Sequence, residues 1–143
     1  MAAIETDSFL PHPPAAVWRA LTDPALLAQW LMPNDFEARI GHHFTFRAVP
    51  APGADFDGIV HCEVLDLRPE ELLQISWCGG PGLNTTVTWR LAREGRGTRL
   101  FLTHDGFDEA DPGQRRVMDI LGGGWTGHLR ARLEAALGDV SRG

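Results

Sequence analysis

His104 is the side chain of this sequence best placed to do chemistry. Leu100, Leu102 and His104 alternate, so in a strand the imidazole falls on the same face as the two leucines and points toward an interior. An inward imidazole beside a cavity can serve as an acid, a base or a hydrogen-bond donor to a carbonyl ligand. It can equally be a core histidine bonded to backbone or to a neighbour such as Ser76 or Thr103, since buried polar groups are usually satisfied. The thiol of Cys62 is the second titratable group on an inward parity. Ser8, Ser76 and Ser141 lie outside any G-x-S-x-G elbow, and Cys62 and Cys78 match no nucleophile motif. His42 and His43 are adjacent, so in a strand their rings point to opposite faces and cannot chelate one ion. His61, with Glu63 two residues on, takes the parity opposite to Val60 and Cys62 and belongs to a solvated face. No third ligand has compatible spacing, so neither a metal nor another cofactor is expected.

Composition narrows the chemistry further. All thirteen basic residues among the 143 are arginine, and tyrosine is absent. Schiff-base enzymes, P-loop nucleotide hydrolases and any mechanism with a phenolic acid are therefore excluded. Nineteen acidic side chains leave a net charge of -6, which argues against a general nucleic-acid or anionic-membrane surface. Arg90, Arg93, Arg96 and Arg99 gather around one hairpin and read as a solvated, pairing-resistant edge. Two cysteines and no signal-like apolar run at the N-terminus point to reduced thiols and a cytoplasmic protein. A chain of this length buries roughly 70% of its unfolded surface, enough for one core, so a single domain over 1–143 is expected.

The elements that must position these residues follow from periodicity and punctuation. Ile4 to Leu10 alternates as a strand, and the run Pro11-His12-Pro13-Pro14 ends it and opens a helix bearing Val17, Trp18 and Leu21. Asp23-Pro24 caps a second helix that presents Leu26, Leu27, Trp30 and Leu31 until Pro33 stops it. From Phe36 to Asp105 the period becomes 2, which predicts six further strands, beginning with Phe36, Ala38 and Ile40. Turns are expected at Gly41, Pro50 to Gly53, Arg68 to Glu70, Gly79 to Gly82 and Glu94 to Gly97. After Pro112, Met118, Leu121, Trp125, Leu129, Leu133 and Leu137 mark an amphipathic helix of about 25 residues. A sheet with one apolar face needs a cover, and only that helix is long enough. The class is α+β: a curved antiparallel sheet of seven strands gripping one long C-terminal helix, in the order β-α-α-β6-α.

Between sheet and helix the inward side chains define an apolar chamber. Phe44, Phe46, Val60, Cys62, Ile75 and Trp77 come from the first part of the sheet. Val87, Trp89, Leu102 and His104 come from its later strands, and Met118, Leu121 and Trp125 from the helix. Such residues either fill a core or wall a pocket. Gly122, Gly123 and Gly124 put no side chains opposite the sheet and soften the helix by about 0.5 to 1 kcal/mol each relative to alanine, so either the helix bends or opens there to admit a ligand or the glycines let Trp77 or Trp89 pack close.

Several ordered fragments resemble the family of the heat shock protein 90 ATPase activator homology domain, within the START and Bet v 1-like (SRPBCC) superfamily. They are Val17-Trp18-Arg19-Ala20-Leu21-Thr22-Asp23-Pro24 with Trp30 beyond, the stretch from Val64 to Trp77, and Val87-Thr88-Trp89. Gly97-Thr98-Arg99-Leu100 running into Leu102-Thr103-His104-Asp105-Gly106-Phe107 is the most specific, followed by Gly124-Trp125 with Leu129 and Leu133. Gly41-His42 stands where the family often has Gly-Gly, and three consecutive glycines exceed the pattern. The resemblance implies the helix-grip fold and, commonly, a cavity that takes an apolar ligand. It does not imply chaperone activation, because the eukaryotic activators resemble this domain only in their C-terminal part and carry a separate N-terminal domain.

Three functions fit these observations. The first is binding of a small apolar or aromatic molecule, with His104 as the polar contact. The second is a cyclase- or hydrolase-like enzyme with His104 as general base. The third is a chaperone-associated or homodimerising interaction module, which needs an exposed apolar patch.

Overall fold

The computed structural model describes residues 2–48, 58–79, 83–108 and 110–142. The turn expected at Pro50 to Gly53 lies outside them, as do Gly80 to Gly82 and the side chain of Ser141. Among the described residues six strands form one antiparallel sheet: β1 (Ala2–Leu10), β2 (His43–Arg47), β3 (Ile59–Arg68), β4 (Leu72–Trp77), β5 (Thr85–Glu94) and β6 (Gly97–Phe107). Their order is β1-β6-β5-β4-β3-β2, so the first strand closes against the last and β1 and β2 form the two edges.

The helices are α1 (Pro14–Thr22), α2 (Pro24–Trp30), α3 (Pro112–Thr126) and α4 (His128–Arg142). Their starts follow from sequence chemistry. Pro14, Pro24 and Pro112 each occupy the first turn, where a missing N–H costs nothing. The Asp23 carboxylate accepts from the Ala25 N–H at 2.9 Å, and Asp111 accepts from Gly113 and Gln114. No helix among the described residues is long and apolar enough to cross a membrane.

Two elements depart from the sequence expectation. The strand foreseen at Phe36, Ala38 and Ile40 does not form, which leaves six strands rather than seven. Phe36 is buried, but Ala38 and Ile40 are exposed. Local bonds displace the ladder: the Asn34 side chain accepts from Phe36 N–H at 3.0 Å, and Arg39 N–H bonds the Glu37 carbonyl at 2.9 Å. The Asp35 carboxylate accepts from the backbone N–H of Thr45, which lowers its pKa, and so ties the segment to β2 by a side chain.

The C-terminal helical run spans Pro112 to Arg142 but is interrupted once, at Gly127, rather than at Gly122 to Gly124. Gly127 has φ -110° and ψ -107° while its N–H still bonds the Gly123 carbonyl at 3.0 Å. A Cβ at Gly127 would sit 2.8 Å from that same oxygen, so any other residue would force the turn to shift. A Cβ at Gly123 would meet nothing within 4 Å, and one at Gly122 only Ile4 at 3.9 Å. Close approach therefore does not require glycine at either position.

The core lies between the concave sheet face and the helices. Leu10, Val17, Leu21, Leu27, Trp30, Val64, Leu73, Ile75, Val87, Trp89, Phe107 and Leu137 are all buried within it. The Trp30 indole N–H donates to the Ala20 carbonyl at 2.9 Å and locks α2 onto α1. Arg132 of α4 reaches the Gln29 carbonyl at the end of α2 at 3.0 Å.

Gly97, at the start of β6, marks the tightest contact of the sheet edge. A Cβ there would come within 2.5 Å of the Leu10 carbonyl and 2.6 Å of the Phe9 ring. Backbone oxygen yields little, so Gly97→Ala is expected to cost about 1–3 kcal/mol, as overpacking does. A urea midpoint equal to or above that of the parent protein would show that the end of β1 gives way instead.

Candidate functional site

His104 is fully buried near the end of β6, and its environment is closed. The Thr85 hydroxyl donates to the Trp77 carbonyl at 2.6 Å and so turns a lone pair toward His104 Nε2, 2.9 Å away. The Trp125 indole N–H donates to His104 Nδ1 at 3.2 Å. These neighbours assign the tautomer: Nδ1 accepts, and Nε2 carries the proton and donates to Thr85. The chain of bonds runs from Trp125 through the ring and Thr85 to the Trp77 backbone, joining α3, β6, β5 and β4. Burial pushes the His104 pKa down to about 3, so the ring is neutral at physiological pH. The sequence pointed to Ser76 or Thr103 as partners, but both fall on the opposite strand parity. Ser76 instead accepts from the Glu63 N–H at 2.8 Å.

The aromatic residues expected to wall a chamber pack on one another. Phe44 and Phe46 meet edge to face at 5.4 Å, Phe46 lies 5.5 Å from Trp77, and Trp77 lies 5.8 Å from Trp125. Val60, Cys62, Ile75 and Val87 are buried around them, while Met118 and Leu121 are half-buried on α3. The Cys62 thiol, its Sγ 3.8 Å from the Val60 carbonyl, has its pKa pushed up by burial and stays protonated. His43 is exposed and 3.7 Å from Glu63, whereas the His42 ring turns back to the Asp35 carbonyl at 3.1 Å. Among the described residues no group of three His, Cys, Asp or Glu side chains could hold a metal ion.

A cleft of about 260 Å³ opens beside this core, between β1 and β6 on one side and the helices on the other. It takes in Trp89, Leu102 and Trp125 of the residues expected from the sequence, and His104 does not line it. The rest of its wall was not singled out from the sequence: Trp30 of α2, Glu5, Thr6, Asp7 and Ser8 of β1, and Leu100 of β6. Thr126, Leu129, Arg130 and Leu133 extend it on both sides of the helix break. A signal for part of this set does exist in the sequence. Thr6 and Ser8 share the inward parity of Ile4 and Leu10, and hydroxyls at core-facing strand positions invite the question of what satisfies them.

The sheet, the helical run laid across it and the cleft between them define an α+β helix-grip domain of the START and Bet v 1-like class. Within that class the chain belongs to the family described as activator of Hsp90 ATPase homolog 1-like protein, whose model matches residues 11–138. Solved structures agree. Protein MLL2253 from Mesorhizobium loti is 32% identical with a TM-score of 0.82, over 96% of this chain and 98% of that one. BH1534 from Bacillus halodurans is 27% identical with a TM-score of 0.76, over 96% and 97%. CalU16 from Micromonospora echinospora is 25% identical with a TM-score of 0.76; the match covers 94% of this chain but 65% of that chain. No curated protein matches the chain.

Proposed function

We propose that this protein binds a small apolar or aromatic molecule in the cleft between β1, β6 and the helices. One observation carries the reading: three indoles, from Trp30, Trp89 and Trp125, border an open volume instead of closing it. Large apolar walls with a few directed polar groups are the usual make-up of small-molecule sites. The volume, about 260 Å³, is just below the roughly 300–1,000 Å³ range of drug-sized pockets, which suits a ligand of one or two rings. The family supports the same reading, because its fold commonly serves as a ligand-binding domain.

A general-base role for His104 lacks support in this geometry. Both ring nitrogens are engaged inside the core, and the basic lone pair on Nδ1 is covered by the Trp125 N–H. An interaction module is likewise not favoured. Phe9 and Phe101 are each 40% exposed on the outer face of β1 and β6, but Arg99 lies over the Phe9 ring at 5.9 Å and breaks up the patch.

Tryptophan emission reads the cleft directly. Titration with a panel of naphthalene and acyl compounds is expected to give a saturable change, and native mass spectrometry of the purified protein is expected to show the bound mass. Emission unmoved across the panel, with no adduct in the mass spectrum, would sink the reading.

A further inference from the structure

The polar residues lining the cleft are Glu5, Thr6, Asp7 and Ser8 on β1, Thr126 at the end of α3 and Arg130 on α4. Thr6 and Ser8 occupy successive inward positions of β1, which places them about 7 Å apart along its wall. Both are half-buried, and among the described residues neither hydroxyl has a hydrogen-bond partner in the protein. Several other hydroxyls of the chain are engaged with backbone carbonyls. Thr98 donates to the His12 carbonyl, Thr85 to that of Trp77, Thr22 to that of Trp18 and Thr126 to that of Gly122. No buried side-chain oxygen or nitrogen among the described residues lacks a hydrogen-bond partner, so these two hydroxyls are open to the cleft and available to whatever enters it.

Arg130, in the first turn of α4, supplies the charge. Among the described residues it pairs with Glu134 at 3.8 Å through Nε, both side chains being about half exposed, a loose surface pair of small energy. A guanidinium has five donors in a fixed fork matched to a carboxylate, and this contact uses only one nitrogen. Glu5 and Asp7 also border the cleft, but they sit at the outward, exposed positions of β1. The cationic group and the two unengaged hydroxyls thus line the same cleft as the indoles.

Resting on the proposed binding function, we infer that the ligand is an aromatic or apolar carboxylate. Its ring system lies against Trp30, Trp89 and Trp125, and its carboxylate is held by Arg130 with hydrogen bonds from Thr6 and Ser8. Three matched probes test this by tryptophan fluorescence: 1-naphthylacetate, the neutral 1-naphthylacetamide and the cationic 1-naphthylmethylamine. The acid is expected to bind about tenfold more tightly than the amide, in line with a charge-assisted hydrogen bond in a partly open site, and the amine most weakly. Arg130→Gln should bring the acid to the affinity of the amide and leave the amide unchanged, and Thr6→Val should weaken the acid more than the amide. Arg130 is half exposed, so its replacement should leave the urea midpoint of the free protein in place; Arg130→Lys, which keeps the charge, should retain part of the preference.

Equal affinities for acid and amide would overturn the carboxylate assignment, as would tightest binding of the amine or an unchanged acid affinity in Arg130→Gln. Saturable binding of the amide would in those cases leave the cleft as a neutral apolar site. Failure of all three probes to bind would overturn both the assignment and the binding function beneath it.

Discussion

Acidification from pH 7 to pH 4 is expected to remove about 3 kcal/mol of stability through His104 alone. Its folded pKa is depressed to about 3, against about 6.5 for an exposed histidine. Above pH 6.5 both states hold the ring neutral, and the contribution to stability is fully present. Between pH 6.5 and about 3 the unfolded chain binds a proton that the folded protein refuses, so stability falls by about 1.4 kcal/mol per pH unit as the pH drops. The geometry explains the refusal: a proton on Nδ1 would face the Trp125 N–H, setting donor against donor in a fully buried site. Urea unfolding of the parent protein and of His104→Gln, from pH 7.5 down to pH 4, isolates the effect. The variant is expected to be less stable at pH 7.5, because Trp125 and Thr85 lose their partner, and to show a shallower decline below pH 6.5. Parallel curves would mean that the ring takes up its proton without unfolding and that its enclosure has been misjudged.

Trp125→Ala is expected to cost about 3–5 kcal/mol, the usual range for removing a buried aromatic side chain, and to abolish the binding proposed for the cleft. Its indole lies 5.8 Å from Trp77, 6.0 Å from Trp89 and 6.2 Å from His104, so its loss opens the core and the cleft into one another. Against a total stability of about 5–15 kcal/mol for a small domain, that would leave a marginal fold. Trp125→Phe separates packing from hydrogen bonding. It keeps most of the buried area and removes only the N–H, so about 1–3 kcal/mol should be lost. Binding should persist in the phenylalanine variant if the ring acts as a wall. Chemical unfolding and fluorescence titration of the two variants check both parts, and equal losses in them would show that the N–H, not the ring's volume, dominates.

Much of the scaffold was legible without coordinates, because it is written in local rules. Pro13 and Pro14, Asp23 with Pro24, and the alternations through Val60, Cys62, Val64 and through Leu73, Ile75, Trp77 act over a few residues. The missing strand at Phe36 shows where such rules stop. Alternation measures which side chains prefer burial, but Asn34 and Asp35 carry oxygens that satisfy nearby N–H groups and take the place of a ladder. The helix break shows the same limit. Three glycines at 122–124 soften the helix, yet the chain turns at Gly127, where an added Cβ would press on the Gly123 carbonyl oxygen at 2.8 Å and α4 goes on to pack on α1 and α2.

The sequence by itself determined the α+β class, the family, the inward direction of His104 and the exclusion of lysine and tyrosine chemistry. Only the tertiary structure decided which inward residues fill space and which face it. Parity assigns a side chain to a face of the sheet but says nothing of the distance to what lies opposite. Phe46, Trp77 and His104 find partners across that gap and become core. Thr6 and Ser8, on the edge strand where the helical cover changes direction, do not, and the open volume falls there. The distance across is set by how four helix segments stack on a curved sheet, a sum of long-range packing contacts that no short window of sequence contains.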